Sequence, residues 1–226
     1  PHRPATEPAV RLAELHRAPE PIRAVPRVIR PSSDPPVIVG IAASAGGPSA
    51  LATVLGALSA ELPVCLAIVQ HLPRGFAPSF VSFLQARCSL AVRLAEHGLV
   101  PPPSTVVLAP DDHHLELIDG RFALTSEPPV DGHRPSATVL LRSLASLGSG
   151  AIGVVLSGIG RDGADGLRAM RERGAVTFAQ DASTSVVYGM PRAALEDGAV
   201  QQALPVTSLG YAISSAVACA RRWRRP

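Results

Sequence analysis

From residue 37 onward, short apolar runs alternate with stretches whose apolar residues recur every three or four positions. Val37–Ala42, Val64–Val69, Ala91–Ala95, Val106–Ala109, Ala151–Leu156 and Ala175–Ala179 are near-continuous apolar runs. Such runs are expected of strands in a sheet covered on both faces. Between them, Ser49–Leu58, Ala77–Ala86, Ser136–Leu147, Ala164–Arg173 and Pro191–Glu196 carry helical spacing. His114–Ile118 and Phe122–Thr125, separated by Asp119-Gly120, predict a β-hairpin with a two-residue turn. A last helix is expected from near Thr207, fading into Arg221–Pro226. The alternation predicts an α/β fold: doubly wound, with a mostly parallel sheet, helices on both faces and a small β-hairpin. No internal repeat is present.

The first 36 residues have a different texture, with nine prolines, six arginines and four acidic residues. Proline at that density blocks helix ladders and favours extended chain. We read residues 1–36 as a mostly disordered linker, with a short helix over Val10–Arg17 where Val10, Leu12, Ala13 and Leu15 cluster. Residues 37–220 form the folded domain, and 221–226 a basic tail. The opening on Pro1 rather than Met is what a fragment or a processed chain would show, and the linker suggests an upstream domain.

Composition narrows the chemistry. Hydrophobic residues make up 46% and aromatics only 4%, so Ala, Val, Leu and Ile must build the core. No apolar run reaches the ~20 residues of a membrane span, and no signal peptide opens the chain, so membrane insertion is not expected. The net charge is +3, and every basic side chain other than histidine is Arg. The absence of Lys excludes a Walker A phosphate loop and Schiff-base chemistry. Six arginines lie in the first 36 residues and four in the last six, which reads as basic ends rather than a nucleic-acid face. Cys65, Cys88 and Cys219 are too far apart for a zinc or redox motif, and Cys65 reads as a core residue. A reducing, cytoplasmic setting fits.

In a doubly wound sheet, ligands bind beyond the carboxyl ends of the strands. The first strand is followed by Ala42-Ala43-Ser44-Ala45-Gly46-Gly47-Pro48 and a helix. A serine at such a turn is either an exposed nucleophile, a helix cap, or part of a phosphate-binding glycine turn. The second strand is followed by Gln70-His71-Leu72-Pro73, where His71 is a general base or an ordinary loop histidine. The fifth long run is followed by Ser157-Gly158-Ile159-Gly160-Arg161-Asp162-Gly163, where Asp162 is a helix cap or the group that orients a base. Three strand ends thus offer Ser, His and Asp, in an order unlike that of α/β-hydrolases. His113, His114 and Glu116 do not make a metal site, since 114 and 116 alone share a strand face.

These motifs, together with Ala109-Pro110, His133-Arg134-Pro135-Ser136, Ala179-Gln180-Asp181 and Val186-Val187-Tyr188-Gly189-Met190-Pro191, resemble those of CheB-type chemotaxis methylesterases, in the same order, from about Val37 to Ala199. The resemblance implies hydrolysis of glutamate γ-methyl esters on the cytoplasmic helices of chemoreceptors, in chemotaxis adaptation. It also implies deamidation of receptor glutamines as a second reaction of the family, and no cofactor or metal. It assigns Ser44 as nucleophile, His71 as general base and Asp162 as the group orienting His71. It places the backbone N–H of Ile159 at the oxyanion, Ala45 and Gly46 in the nucleophile turn, His114 at the cleft rim and Met190 among the residues shaping the cleft. A phosphorylatable receiver domain upstream is the usual family partner. The departures are Ala42 for a usual Gly, Ala45 for the commoner Thr, Asp111 for Gly, Thr138 for Asp and Ile159 for Met. A non-catalytic signalling or partner-binding module on the same fold, or an esterase acting on a non-chemotaxis protein, are the alternatives.

Overall fold

The computed structural model describes residues 36–223. In chain order the elements are β1 (Val37–Ala43), α1 (Gly47–Gly56), β2 (Val64–Gln70), α2 (Ala77–Gln85), β3 (Ala91–Leu94), β4 (Thr105–Leu108), β5 (His114–Ile118) and β6 (Arg121–Thr125). They continue with α3 (Ala137–Leu144), β7 (Ala151–Val155), α4 (Ala164–Glu172), β8 (Val176–Gln180), α5 (Met190–Glu196), β9 (Gln202–Leu204) and α6 (Val206–Trp223). The sheet order is β3-β4-β2-β1-β7-β8-β9, and every neighbouring pair is parallel. The chain winds outward from β1 through β2 to β4 and β3, then returns to β7 on the other flank of β1. The strand order therefore reverses at β1–β7, and a crevice opens above the carboxyl ends there.

Strand alternation divides the core into two. Val37, Val39, Ile41 and their counterparts Leu66 and Ile68 pack under α1, α2 and α6. Ala42, Ala67 and Val155 face the other way, under α3, α4, α5 and the β5–β6 hairpin. Two glycines on this second face let the helices lie close. A Cβ at Gly40 would stand 2.6 Å from Leu141 Cδ2 and 2.7 Å from Leu144 Cδ1, and one at Gly153 would stand 2.4 Å from Leu167 Cδ1. Cys65 is fully buried in this core, and burial pushes its thiol up to about 12.

The predicted elements appear within a residue or two of their expected ends, with four departures. Ala91–Ala95 is not a buried strand: β3 is the sheet edge, its residues exposed or half-buried, with Arg93 paired to Glu96. Charge along an edge discourages further pairing. The Ser136–Leu147 helix stops at Leu144 and continues as a 3-10 stretch to Gly150, broken at Gly148. β9 is three residues long, with two of them exposed, and too short for the pattern to reveal. The helix α6 continues through Arg221 to Trp223, three residues into the expected tail. In the hairpin, Asp119 and Gly120 both adopt positive φ, 49° and 73°, and Ile118 pairs with Arg121. That is the two-residue turn the Asp-Gly pair predicts. The linker and the Val10–Arg17 helix lie outside the described residues. Among the described residues no helix is long and apolar enough to cross a membrane.

Gly40→Val tests the close seating of α3. Valine is the better strand former, so packing alone sets the sign. The substitution should destabilise the fold by about 1–3 kcal/mol, seen as a lower midpoint in urea unfolding. An unchanged midpoint would show that Leu141 and Leu144 do not rest on the strand.

Candidate active site

The site begins with register. β1 and β2 end on the pair Ala43–Gln70, so Ser44 and His71 are the next residues of adjacent strands. His71 N donates to Ala43 O (3.0 Å), and on the other flank Ser44 N donates to Ser157 O (3.0 Å). Ser44 therefore stands between the end of β2 and the loop leaving β7, at the reversal of strand order. The turn after it needs Gly46, whose φ is 78° and where a Cβ would lie 2.6 Å from both Ser157 Oγ and Val186 Cβ. Pro48 opens α1 in the position where its missing N–H costs nothing.

Asp162 closes the arrangement from the β7 side. Its carboxylate is 1% exposed and accepts four hydrogen bonds. Oδ1 takes Ser136 Oγ (2.7 Å) and Thr138 N (2.9 Å); Oδ2 takes Ala137 N (2.7 Å) and His71 Nε2 (2.8 Å). Burial pushes this carboxyl up, but the four donors outweigh it and hold it well below the usual carboxylate range. Asp162 does cap a helix, though not the α4 that follows it. It caps α3, whose own N-cap Ser136 spends its hydroxyl on Asp162. Thr138 Oγ1 in return accepts Gly163 N (2.8 Å), so the starts of α3 and α4 are tied reciprocally.

An ionised carboxylate can only accept, so Nε2 of His71 carries the ring proton. That leaves Nδ1 as the lone-pair nitrogen, and it is buried with no hydrogen-bond partner. The imidazole is 11% exposed and stacks on His133, ring centroids 3.7 Å apart and planes 12° off parallel. Burial lowers the His133 pKa, and so does His71, with Asp162 and Asp131 opposing. Among the described residues no hydrogen bond joins Ser44 Oγ to His71. Such contacts commonly tighten only when substrate is bound.

The remaining expected residues fall at different depths. Ile159 is 66% exposed and follows Gly158, where an added Cβ would lie 2.9 Å from Ser44 Cβ. Its backbone N–H thus belongs to a loop that passes directly beside the serine. Ala45 donates no side-chain chemistry, but its carbonyl accepts Ser157 Oγ (2.7 Å), and that hydroxyl also accepts Val187 N (2.9 Å). Met190 is buried, not on the cleft wall. Its N–H donates to Gly158 O (2.9 Å), and its Sδ packs beneath Gly158, supporting the loop from below. His114 is likewise no rim residue. It is fully buried, with Nδ1 accepting Ser136 N (3.1 Å) and Nε2 donating to Pro128 O (3.1 Å), so the ring ties the start of α3 to the loop that follows β6. Gln180 reaches under the same loop, its Oε1 accepting Ser157 N (2.9 Å).

Three residues of the site have roles that their local sequence does not announce. His133 and Ser136 lie in a quoted motif, but nothing local says that they meet His71 and Asp162. Gln70 left a clearer mark, as an inward-facing polar residue closing an otherwise apolar strand. Ala42, the departure beside the serine, fits because its methyl rests against Gly163, which has none.

A family model described as CheB methylesterase matches residues 39–213. A protein-glutamate methylesterase/protein-glutamine glutaminase of Cupriavidus metallidurans is 47% identical over 195 residues, covering 85% of this chain and 56% of that protein. One of Pseudomonas syringae pv. syringae is 45% identical over 174 residues, covering 76% of this chain and 52% of that protein. The chain thus spans about half the length of the curated relatives it matches. The crystal structure of the Thermotoga maritima CheB methylesterase catalytic domain is similar with a TM-score of 0.77 at 32% identity, covering 80% of this chain and 98% of that one. From fold to strand-end loops, the chain belongs to the CheB methylesterase family.

Proposed function

We propose that this chain hydrolyses glutamate γ-methyl esters on the cytoplasmic segments of chemoreceptors, with Ser44 as nucleophile, His71 as base and Asp162 as the group that orients it. The observation that carries the reading is the commitment of His71 Nε2 to a buried carboxylate, which leaves Nδ1 proton-free on the strand beside Ser44. Ser44 Oγ attacks the ester carbonyl while Nδ1 takes its proton. The tetrahedral oxyanion is met by backbone N–H groups of the turn after Ser44 and of Ile159, each donor of this kind contributing about 3 kcal/mol in other hydrolases. His71 returns the proton to the departing methoxide, and methanol leaves. Water, deprotonated by the same nitrogen, then cleaves the acyl-enzyme to free the glutamate and Ser44. The relatives' names also include glutaminase. The same path serves a glutamine side chain, with ammonia as the leaving group.

Methanol release from a methylated receptor fragment should fall by at least about 1,000-fold in Ser44→Ala. Release at the wild-type rate would remove Ser44 from the chemistry. Asp162→Asn keeps the shape but can present an N–H to His71 and so favour the wrong tautomer. Its kcat should fall about 1,000- to 10,000-fold.

The same substitution has a pH signature. Folding holds the Asp162 carboxyl low, so its stabilisation is complete above the unfolded carboxylate value of about 4 and is lost as pH falls through the folded value. Asp162→Asn should be the less stable protein at neutral pH, and the gap should narrow as the medium is taken from about pH 5 toward about pH 2. A gap that stays constant in thermal melts over that range would show that the carboxylate is not held by its charge.

A further inference from the structure

Gln70 lies on the face of the sheet opposite Asp162. It continues the Leu66–Ile68 row that packs under α1, and it is 4% exposed. Its amide nitrogen donates to the carbonyl oxygen of Ser44 (2.8 Å) and to the carbonyl oxygen of His71 (3.0 Å). One side-chain group therefore holds the main chain of both residues. The orientation of the amide is set by its neighbours. Turned over, Oε1 would face two carbonyl oxygens and both bonds would become repulsions. As placed, Oε1 has no partner and lies against Gly47, where a Cβ would be 2.1 Å away. An unpartnered buried acceptor is costly, yet the position keeps an amide where an apolar residue would match the rest of the row. Gly47 N also donates to Ser44 O (2.8 Å), so the serine carbonyl is pinned from two directions.

We infer that Gln70 is a positioning residue that sets the spacing between Ser44 and His71 by gripping both of their carbonyl oxygens with one amide, a role that rests on the hydrolase reading above. The register of β1 and β2 brings the two strands together, but beyond the Ala43–Gln70 pair only the N–H groups of Ser44 and His71 still bond to neighbouring strand ends, and their carbonyl oxygens lie past the ladder. The Gln70 amide extends the alignment by one further residue. A misplacement of about 1 Å between reacting groups costs roughly 100-fold in rate.

A fluorophosphonate is the direct test, because Ser44 Oγ attacks phosphorus as fluoride leaves and His71 takes the proton, with no receptor required. In the full chain, Gln70→Leu and Gln70→Glu should each lower the maximal labelling rate about 10- to 100-fold. The half-saturating probe concentration should stay within about twofold. A carboxylate cannot donate, but its protonated form regains one of the two bonds. The deficit of Gln70→Glu relative to wild type should therefore shrink as pH is lowered, while that of Gln70→Leu stays constant. A purely structural role would move the melting temperature and leave this split untouched. If Gln70→Leu does not fold, Gln70→Glu, of the same size, carries the test. Wild-type labelling with both variants at the wild-type rate overturns the role of Gln70 alone. A wild-type protein that the probe does not label overturns the hydrolase reading and this role with it.

Discussion

The carboxylate of Asp162 is the point on which the rest of the site depends. It is nearly removed from water, at a desolvation cost of several kcal/mol for an isolated ion. Four donors offset that cost, two of them the first backbone N–H groups of α3. Those groups have no partner within their own helix, and the helix dipole favours negative charge at that end. The carboxylate is thus held ionised by a helix terminus that would otherwise be uncapped. Its ionisation in turn decides which nitrogen of His71 carries the proton. His114 holds the same terminus through Ser136 N, and α3 seats Leu141 and Leu144 on Gly40.

The two faces of the sheet divide the work. On the face of α3 and α4, Asp162 and His133 hold the His71 ring. On the face of α1, Gln70 and the Gly46-Gly47 turn hold the serine. Ser44 and His71 sit at the seam, just past the last rung of the β1–β2 ladder. The position follows from the topology. Only where the strand order reverses do loops from both flanks lean away and leave an open crevice. The loop from Ser157 to Asp162 crosses that crevice, braced by Ser157, Gln180 and Met190 from below.

The strands, the hairpin and most helix starts were legible because they rest on local patterns. Apolar runs mark doubly covered strands, and Asp119-Gly120 marks a two-residue turn. β3 departs from its expected burial because an apolar run says nothing of whether a strand has two neighbours or one. The candidate residues after each strand were also legible, since topology alone says where to look. Depth was not. His114 and Met190 stand in segments that belong to the site, and only packing shows that both support it from within. The partners of Asp162 were hidden for a related reason. A cap is sought in the helix that follows, whereas this one serves a helix about 25 residues earlier in the chain.

His133 shows how far the arrangement constrains His71. Its ring covers one face of His71 at stacking distance, so any charge on one ring is felt at the other. The proposed hydrolysis requires a transient positive charge on His71. A cationic His133 would oppose that charge across 3.7 Å of protein rather than water. Burial and the neighbouring ring both favour the neutral form of His133. A neutral ring offers its π-face to the developing cation, which is attractive. Asp131 and Asp162 pull the other way, toward a charged His133. Asp162, however, is already committed to four donors, and its negative charge lies on the His71 side of the stack. In the proposed reaction, the same carboxylate that fixes the tautomer of His71 thus also stabilises the charge that forms on it.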